Sequence, residues 1–121
     1  MSKILMIEDD IMLAQMYQRK LEENGLSVKL AYSGTEGLAE AQMEKPDLIL
    51  LDIMMPKMNG FDVLKRLKEN IILKEIPVIV LTALTQDSDR EESKKLGAVD
   101  YLIKSDFTPG QIIDKIQKYL K

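Results

Sequence analysis

Acidic side chains stand at the ends of two apolar runs, where carboxylates are costly to bury. The run ILMI leads into Glu8, Asp9 and Asp10, and a second run, LILL, ends in Asp52. Carboxylates that crowd one cleft raise one another's pKa values unless a cation balances them. Mg²⁺ binds one or two carboxylates and leaves room for a phosphate oxygen. These residues predict a metal-assisted phosphoryl-transfer site in which Asp52 is the nucleophile and becomes an aspartyl phosphate.

Two further polar residues follow apolar runs later in the chain. Thr82 ends the run at 77–82, and Lys104 follows the run at 99–103. A hydroxyl and an ammonium group are suitable donors for the oxygens of a phosphoryl group in transfer. Lys104 is expected two strand spacings from Asp52, roughly 10 Å, a gap that a lysine side chain largely spans.

The composition narrows the possible chemistry. The 121 residues include no cysteine and no histidine, which excludes disulfides, Cys/His zinc sites and Ser-His or Cys-His nucleophile pairs. A bound metal must then have oxygen ligands, which favours Mg²⁺, Mn²⁺ or Ca²⁺. The net charge is −3, and neither half of the chain is basic enough by itself to suggest a nucleic-acid surface. No apolar run approaches the ~20 residues of a membrane span. We expect one cytoplasmic domain covering residues 1–121.

The apolar pattern predicts an α/β fold. Short apolar runs alternate with amphipathic stretches, and five of them are predicted as strands: 3–8, 27–31, 47–52, 77–82 and 99–103. Five successive β-α units predict a doubly wound parallel sheet with the strand order 2-1-3-4-5, by analogy with flavodoxin-like folds. In that order strands 1 and 3 are neighbours, so the acids at their carboxyl ends share one cleft.

Local signals mark the helices. Asp10 is predicted to cap the first helix, and Gly25 to follow its end in a left-handed conformation. Thr108 is predicted to cap the last helix, which Pro109 opens. The segment 86–97 has little apolar face. We therefore expect its helix to pack loosely and to move, with its mixed charges in solvent.

Four segments together carry a resemblance to a known family. They are ILMIEDD, PDLILLDIMMPKMNGFDVLKRL, IPVIVLTA and GAVDYLIKS, in this order. In content and spacing the chain resembles a receiver domain of two-component response regulators, close in plan to the single-domain chemotaxis regulators. The resemblance extends over essentially the whole chain.

The resemblance implies how a metal would be held. Asp52 would be the phosphoacceptor and a metal ligand, and Asp9 a direct ligand of Mg²⁺, with Mn²⁺ as a substitute. Glu8 would bind through a water molecule. The main-chain carbonyl of Met54 would supply a further ligand.

The resemblance also assigns the phosphoryl contacts. Thr82 and Lys104 would contact the phosphoryl group, and the amide of Ala83 would add a donor. Tyr101 resembles the aromatic residue that swings inward as the threonine moves. The family typically has a cis-proline after this lysine, and Ser105 leaves the geometry of that peptide bond open.

The function that the resemblance implies is a switch. A sensor histidine kinase or a phosphotransfer protein would supply the phosphoryl group from phosphohistidine. The surface of helix 4, strand 5 and helix 5 would then change its affinity for a protein target or a second copy. Tyr101, Ile103 and Ile113 are expected to face solvent there. Turnover of an external substrate is not expected, nor direct binding to nucleic acid or membrane.

Three other classes of protein share parts of this pattern. A haloacid-dehalogenase-type phosphatase needs a second acid two residues after the nucleophile, where this chain has Met54. A flavodoxin-like FMN protein needs Ser, Thr and Gly after strand 1, where this chain reads EDDIML. A degenerate receiver that binds partners without phosphorylation would carry the same residue types, and it stays open as the alternative.

Overall fold

The computed structural model describes residues 2–120. Five parallel strands form one sheet in the order β2-β1-β3-β4-β5, as predicted. The strands are β1 (Lys3–Ile7), β2 (Ser27–Ala31), β3 (Leu48–Leu51), β4 (Val78–Thr82) and β5 (Asp100–Ile103). The helices are α1 (Ile11–Glu23), α2 (Gly34–Glu44), α3 (Gly60–Glu69), α4 (Asp87–Lys95) and α5 (Pro109–Gln117), and a 3-10 turn spans Lys104–Asp106. Every strand lies within one residue of its predicted bounds.

The sheet is covered on both faces. All side chains of β3 and β4 are buried, as their nearly continuous apolar sequences predict. Leu50 packs with residues of α1 and α5, whereas its neighbour Leu51 packs with residues of α2 and α3. Successive side chains of a strand point to opposite faces, so the central strands contribute to both cores. Each such leucine stabilises the fold by roughly 1.5–3 kcal/mol relative to exposure.

The predicted helix boundaries are confirmed. The amide of Leu13 donates to the Asp10 side chain at 3.1 Å, which fixes the start of α1 beside the acidic strand end. Gly25, with φ of +84°, follows the end of that helix. Thr108 caps α5 with a reciprocal bond to Gln111. No helix within residues 2–120 has the length and apolar character needed to cross a bilayer.

The prediction that three residues of the β5 region face solvent was wrong. Tyr101, Ile103 and Ile113 are only 5%, 8% and 4% exposed. Tyr101 and Ile103 pack with Ile53 and Val80. Ile113 lies on the buried face of α5 and packs in the core. An edge strand usually leaves one face partly open, but here helices cover both faces of β5.

Candidate functional site

The two acidic strand ends lie side by side at the carboxyl edge of the sheet. β1 pairs with β3 so that Ile7 lies opposite Leu51, and the amide of Asp52 donates to the Ile7 carbonyl at 3.0 Å. Glu8 and Asp52 are therefore equivalent positions on adjacent strands. One carboxylate oxygen from each of Glu8, Asp9 and Asp52 lies within 4.8 Å of the other two. The predicted shared cleft is confirmed.

Burial makes this cluster electrostatically unfavourable by itself. Glu8 is 1% exposed and Asp52 is 6% exposed, while Asp9 is the most exposed of the three residues. Taking carboxylates out of water is costly unless they are paired or bind a metal. The oxygens of these three carboxylates are hard ligands, and such a donor set fits a divalent cation such as Mg²⁺.

Lys104 reaches the cluster from the end of β5. Its Nζ donates to Glu8 Oε1 at 2.5 Å and to Asp52 Oδ2 at 3.3 Å. The predicted reach of the lysine to Asp52 is confirmed. The ion pair with Glu8 was not predicted, because the resemblance assigned that residue only to the metal.

The environment of this ion pair raises the pKa of both Glu8 and Lys104. Burial raises the pKa of Glu8 to about 7, with the Lys104 hydrogen bond opposing the rise and the charge of Asp52 adding to it. Burial acts to lower the pKa of Lys104, but the hydrogen bond to Glu8 and the charge of Asp52 outweigh it and raise the pKa. The lysine therefore stays protonated. One ammonium faces three carboxylates, so the cleft can accommodate a further positive charge.

The loop after β3 holds Asp52 through close backbone packing. The amide of Met54 donates to Asp52 Oδ1 at 3.2 Å. The amide of Gly60, at the start of α3, donates to the Ile53 carbonyl at 2.9 Å. A Cβ on Gly60 would lie 2.3 Å from the Asp52 carbonyl oxygen and 2.6 Å from Ile53 Cα. Only glycine allows α3 to approach the phosphoacceptor candidate this closely.

A chain of contacts leads from the end of β4 to β5. Thr82 is fully buried, and its hydroxyl accepts from the amide of Leu84 at 3.4 Å. The hydroxyl of Tyr101 donates to the carbonyl of Leu84 at 3.0 Å. Ala83, which lies between Thr82 and Leu84 in the sequence, is exposed. Thr82 and Tyr101 are thus joined through one loop residue, and Tyr101 points inward.

The peptide bond after Lys104 is trans, since residues 2–120 contain no cis peptide bond. The question that Ser105 left open at this position is answered. Lys104 itself begins the 3-10 turn Lys104–Asp106, a local structure that the sequence pattern did not predict.

The contact of Arg90 with Tyr101, near the site, was not predicted. Arg90 Nη1 donates to the carbonyl of Tyr101 at 3.1 Å, and the guanidinium carbon lies 4.9 Å from the centre of the Tyr101 ring. The charges of 86–95 were predicted to be solvated. Nothing in the sequence pattern separates Arg90 from the other charged residues of α4.

With this geometry established, the chain can be compared with known proteins. It belongs to the response regulator receiver domain family, which matches residues 4–117. It is 36% identical over 119 residues to the alkaline phosphatase synthesis transcriptional regulatory protein PhoP of Bacillus subtilis, covering 98% of this chain and 48% of that protein. It is 38% identical over 104 residues to protein PilH of Pseudomonas aeruginosa, covering 86% of each.

Solved structures agree with this assignment. The chemotaxis protein CheY4 of Vibrio cholerae superposes with a TM-score of 0.92 at 34% identity, over 99% of both chains. The family places this chain in two-component signalling. The chain spans about half the length of several of the curated relatives that it matches, such as PhoP, at 48%.

Proposed function

We propose that this domain accepts a phosphoryl group on Asp52 from the phosphohistidine of a sensor histidine kinase or phosphotransfer protein, in the presence of Mg²⁺ or Mn²⁺. One observation carries the proposal. Glu8, Asp9 and Asp52 bring carboxylate oxygens within 4.8 Å of one another, and the Lys104 ammonium lies 3.3 Å from Asp52. This is the charge arrangement that phosphoryl transfer to a carboxylate requires.

In the proposed transfer, a carboxylate oxygen of Asp52 attacks the phosphorus of the donor. The new O–P bond forms as the N–P bond of phosphohistidine breaks, and the released imidazole nitrogen takes a proton from solvent. The amide of Met54 and the ammonium of Lys104 hold the two oxygens of Asp52 at 3.2 and 3.3 Å. These contacts position the nucleophile before the donor arrives.

The metal would be held by Asp9 and Asp52 directly, by Glu8 through water and by the main-chain carbonyl of Met54. When bound, Mg²⁺ supplies positive charge that balances the carboxylates and the developing charge on the transferred oxygens. Attack of water on the phosphorus would later regenerate the free aspartate. The domain would thus catalyse its own phosphorylation and dephosphorylation without turning over an external substrate.

Phosphorylation would change the contacts that now hold the site. A phosphoryl group on Asp52 offers Lys104 a new partner in place of Glu8 and offers the hydroxyl of Thr82 an acceptor. The amide of Ala83, exposed after β4, would be a further donor. Thr82 contacts Leu84, and Leu84 accepts from Tyr101. Movement of the threonine would therefore reorganise the loop before α4.

The output would be the surface formed by α4, β5 and α5. Its change would alter affinity for a protein target or a second copy of the domain, in the cytoplasm and without direct contact to nucleic acid or membrane. With Tyr101, Ile103 and Ile113 buried, the exposed apolar area on this side comes from residues such as Val99, which is 44% exposed.

The test is incubation with acetyl phosphate and Mg²⁺ followed by intact mass measurement. We expect one phosphoryl group on the wild-type protein and none on Asp52→Asn or after chelation of the metal. Asp10→Asn is the matched control, because it removes a neighbouring acid while asparagine keeps the helix cap. It should be phosphorylated like the wild type.

The same assay should be repeated with an active histidine kinase as donor. A wild-type chain that stays unmodified by both donors would reject the proposal and favour the degenerate receiver, which binds partners without phosphorylation. Labelling of Asp52→Asn to the wild-type extent would place the phosphoryl group elsewhere and would also reject it.

A further inference from the structure

Helix α4 has little apolar surface with which to pack. Of its nine described residues, only Ser93 is buried. The hydroxyl of Ser93 donates to the carbonyl of Arg90 at 3.0 Å, a bond inside the helix that does not attach it to the sheet. Within the described chain, no side-chain hydrogen bond caps its start at Gln86. The helix itself contains no apolar residue, although Leu96 directly after it packs against the core. A polar contact with β5 would add to this attachment.

Arg90 supplies that contact, and its partner is Tyr101. The guanidinium donates to the Tyr101 carbonyl at 3.1 Å and lies over the ring, 4.9 Å from its centre. The hydroxyl at the far end of the ring donates to Leu84 at 3.0 Å. Tyr101 is thus held at its backbone, its ring face and its tip, and two of these three contacts come from one arginine.

We propose that Arg90 is a positioning residue that holds Tyr101 in its inward position and thereby favours the phosphorylated state of the domain. This inference rests on the proposed function of Asp52. If a phosphoryl group on Asp52 favours the inward tyrosine, a contact that raises the inward population also raises the affinity for that group, in proportion to that population and at most by the factor that the contact contributes. A partly exposed cation–π contact and one hydrogen bond together correspond to a ~3- to 10-fold effect.

The geometry specifies arginine and not merely positive charge. The planar guanidinium can stack on the ring and donate to the carbonyl at the same time, whereas a lysine ammonium is a compact charge on a flexible stem. Arg90→Lys should therefore keep only part of the effect. Lys94, an exposed residue of the same helix, provides a matched control for the loss of one charge.

The experiment uses the full chain labelled with 3-fluorotyrosine and ¹⁹F NMR. The chain has four tyrosines, and Tyr101→Phe identifies the resonance of interest. We expect Arg90→Ala to move the Tyr101 resonance towards that of an exposed tyrosine and to weaken binding of beryllofluoride with Mg²⁺ by ~3- to 10-fold. Arg90→Lys should lie between wild type and Arg90→Ala, and Lys94→Ala should match the wild type.

An unchanged Tyr101 resonance in Arg90→Ala, with unchanged beryllofluoride affinity, would overturn the inference. So would an equal change in Lys94→Ala, because it would point to a general charge effect. Should Arg90→Ala fail to fold, Arg90→Lys decides by the same two measurements. A wild-type chain that does not bind beryllofluoride would refute the proposed function, and the ¹⁹F spectrum would still decide whether Arg90 positions Tyr101.

Discussion

Helices α3 and α4 follow neighbouring strands but are attached to the domain in opposite ways. α3 buries four residues and begins with a reciprocal cap between Asn59 and Asp62. The buried residues of α3 are Gly60, Val63, Leu64 and Leu67. α4 buries Ser93 alone among its described residues and has no side-chain cap. α3 is held by apolar burial, whereas α4 contributes no apolar side chain of its own and contacts β5 through Arg90.

This difference suits the switch proposed above, which requires a fixed phosphoacceptor and a surface that can change. α3 begins against the backbone of Asp52, so its firm packing keeps the phosphoacceptor candidate in place. α4 follows the loop in which the amide of Leu84 donates to Thr82, so in the proposed switch its weak packing would allow this side of the domain to move. Segments with few buried apolar contacts open at low free-energy cost.

The largest effect is expected at the start of α3. Gly60→Ala should lower the free energy of unfolding by about 3 kcal/mol or more, because its Cβ would overlap backbone atoms of Asp52 and Ile53. Urea denaturation measures this. Gly110→Ala is the matched control, since its nearest contact would be Thr108 Oγ1 at 3.9 Å. It should be neutral or slightly stabilising. Equal losses in both variants would contradict the assignment of the strain to Gly60.

The next comparison is between one buried residue of each helix. Leu64→Ala should cost ~2–5 kcal/mol through the lost burial and the remaining cavity. Ser93→Ala should cost about 1 kcal/mol or less, because it removes one hydrogen bond within α4. Urea unfolding of the two variants compares the helices directly. A loss at Ser93 as large as that at Leu64 would show that α4 is more firmly packed than its burial indicates.

The smallest effect comes from adding the cap that α4 lacks. Gln86 has extended backbone, with φ of −77° and ψ of 140°, which suits an N-cap. Gln86→Ser should stabilise α4 by about 0.5–1 kcal/mol and slow amide hydrogen exchange in residues 87–95. Gln86→Ala, which adds no acceptor, should leave exchange unchanged or faster. Slower exchange in both variants would rule out capping as the cause.

The sequence was sufficient to predict the sheet and the position of the acids. Short, nearly continuous apolar runs predicted the strands, and the strand order was predicted from right-handed β-α units together with the analogy to flavodoxin-like folds. Because parallel strands end at one edge, Asp9, Asp52 and Lys104 were predicted to converge, and they do. These results depend on backbone topology, which local sequence patterns determine well.

The contacts that depend on side-chain conformation were not predictable in this way. Glu8 could turn towards a metal or towards Lys104, and the sequence does not indicate which. Arg90 has the same local pattern as its charged neighbours in α4. Tyr101 was predicted to face solvent as part of a partner-binding surface, and nothing in the polar sequence of this helix indicated that Arg90 would cover its ring.

The pairing of residues 8 and 104, which are 96 positions apart, has a consequence for protein synthesis. A ribosome makes the acidic strand ends early and the lysine only near the end of the chain. Until the last strand has emerged and docked, the acids lack their fixed ammonium partner. A polypeptide that ends before residue 104 therefore lacks the counter-charge that Glu8 and Asp52 have in the complete fold.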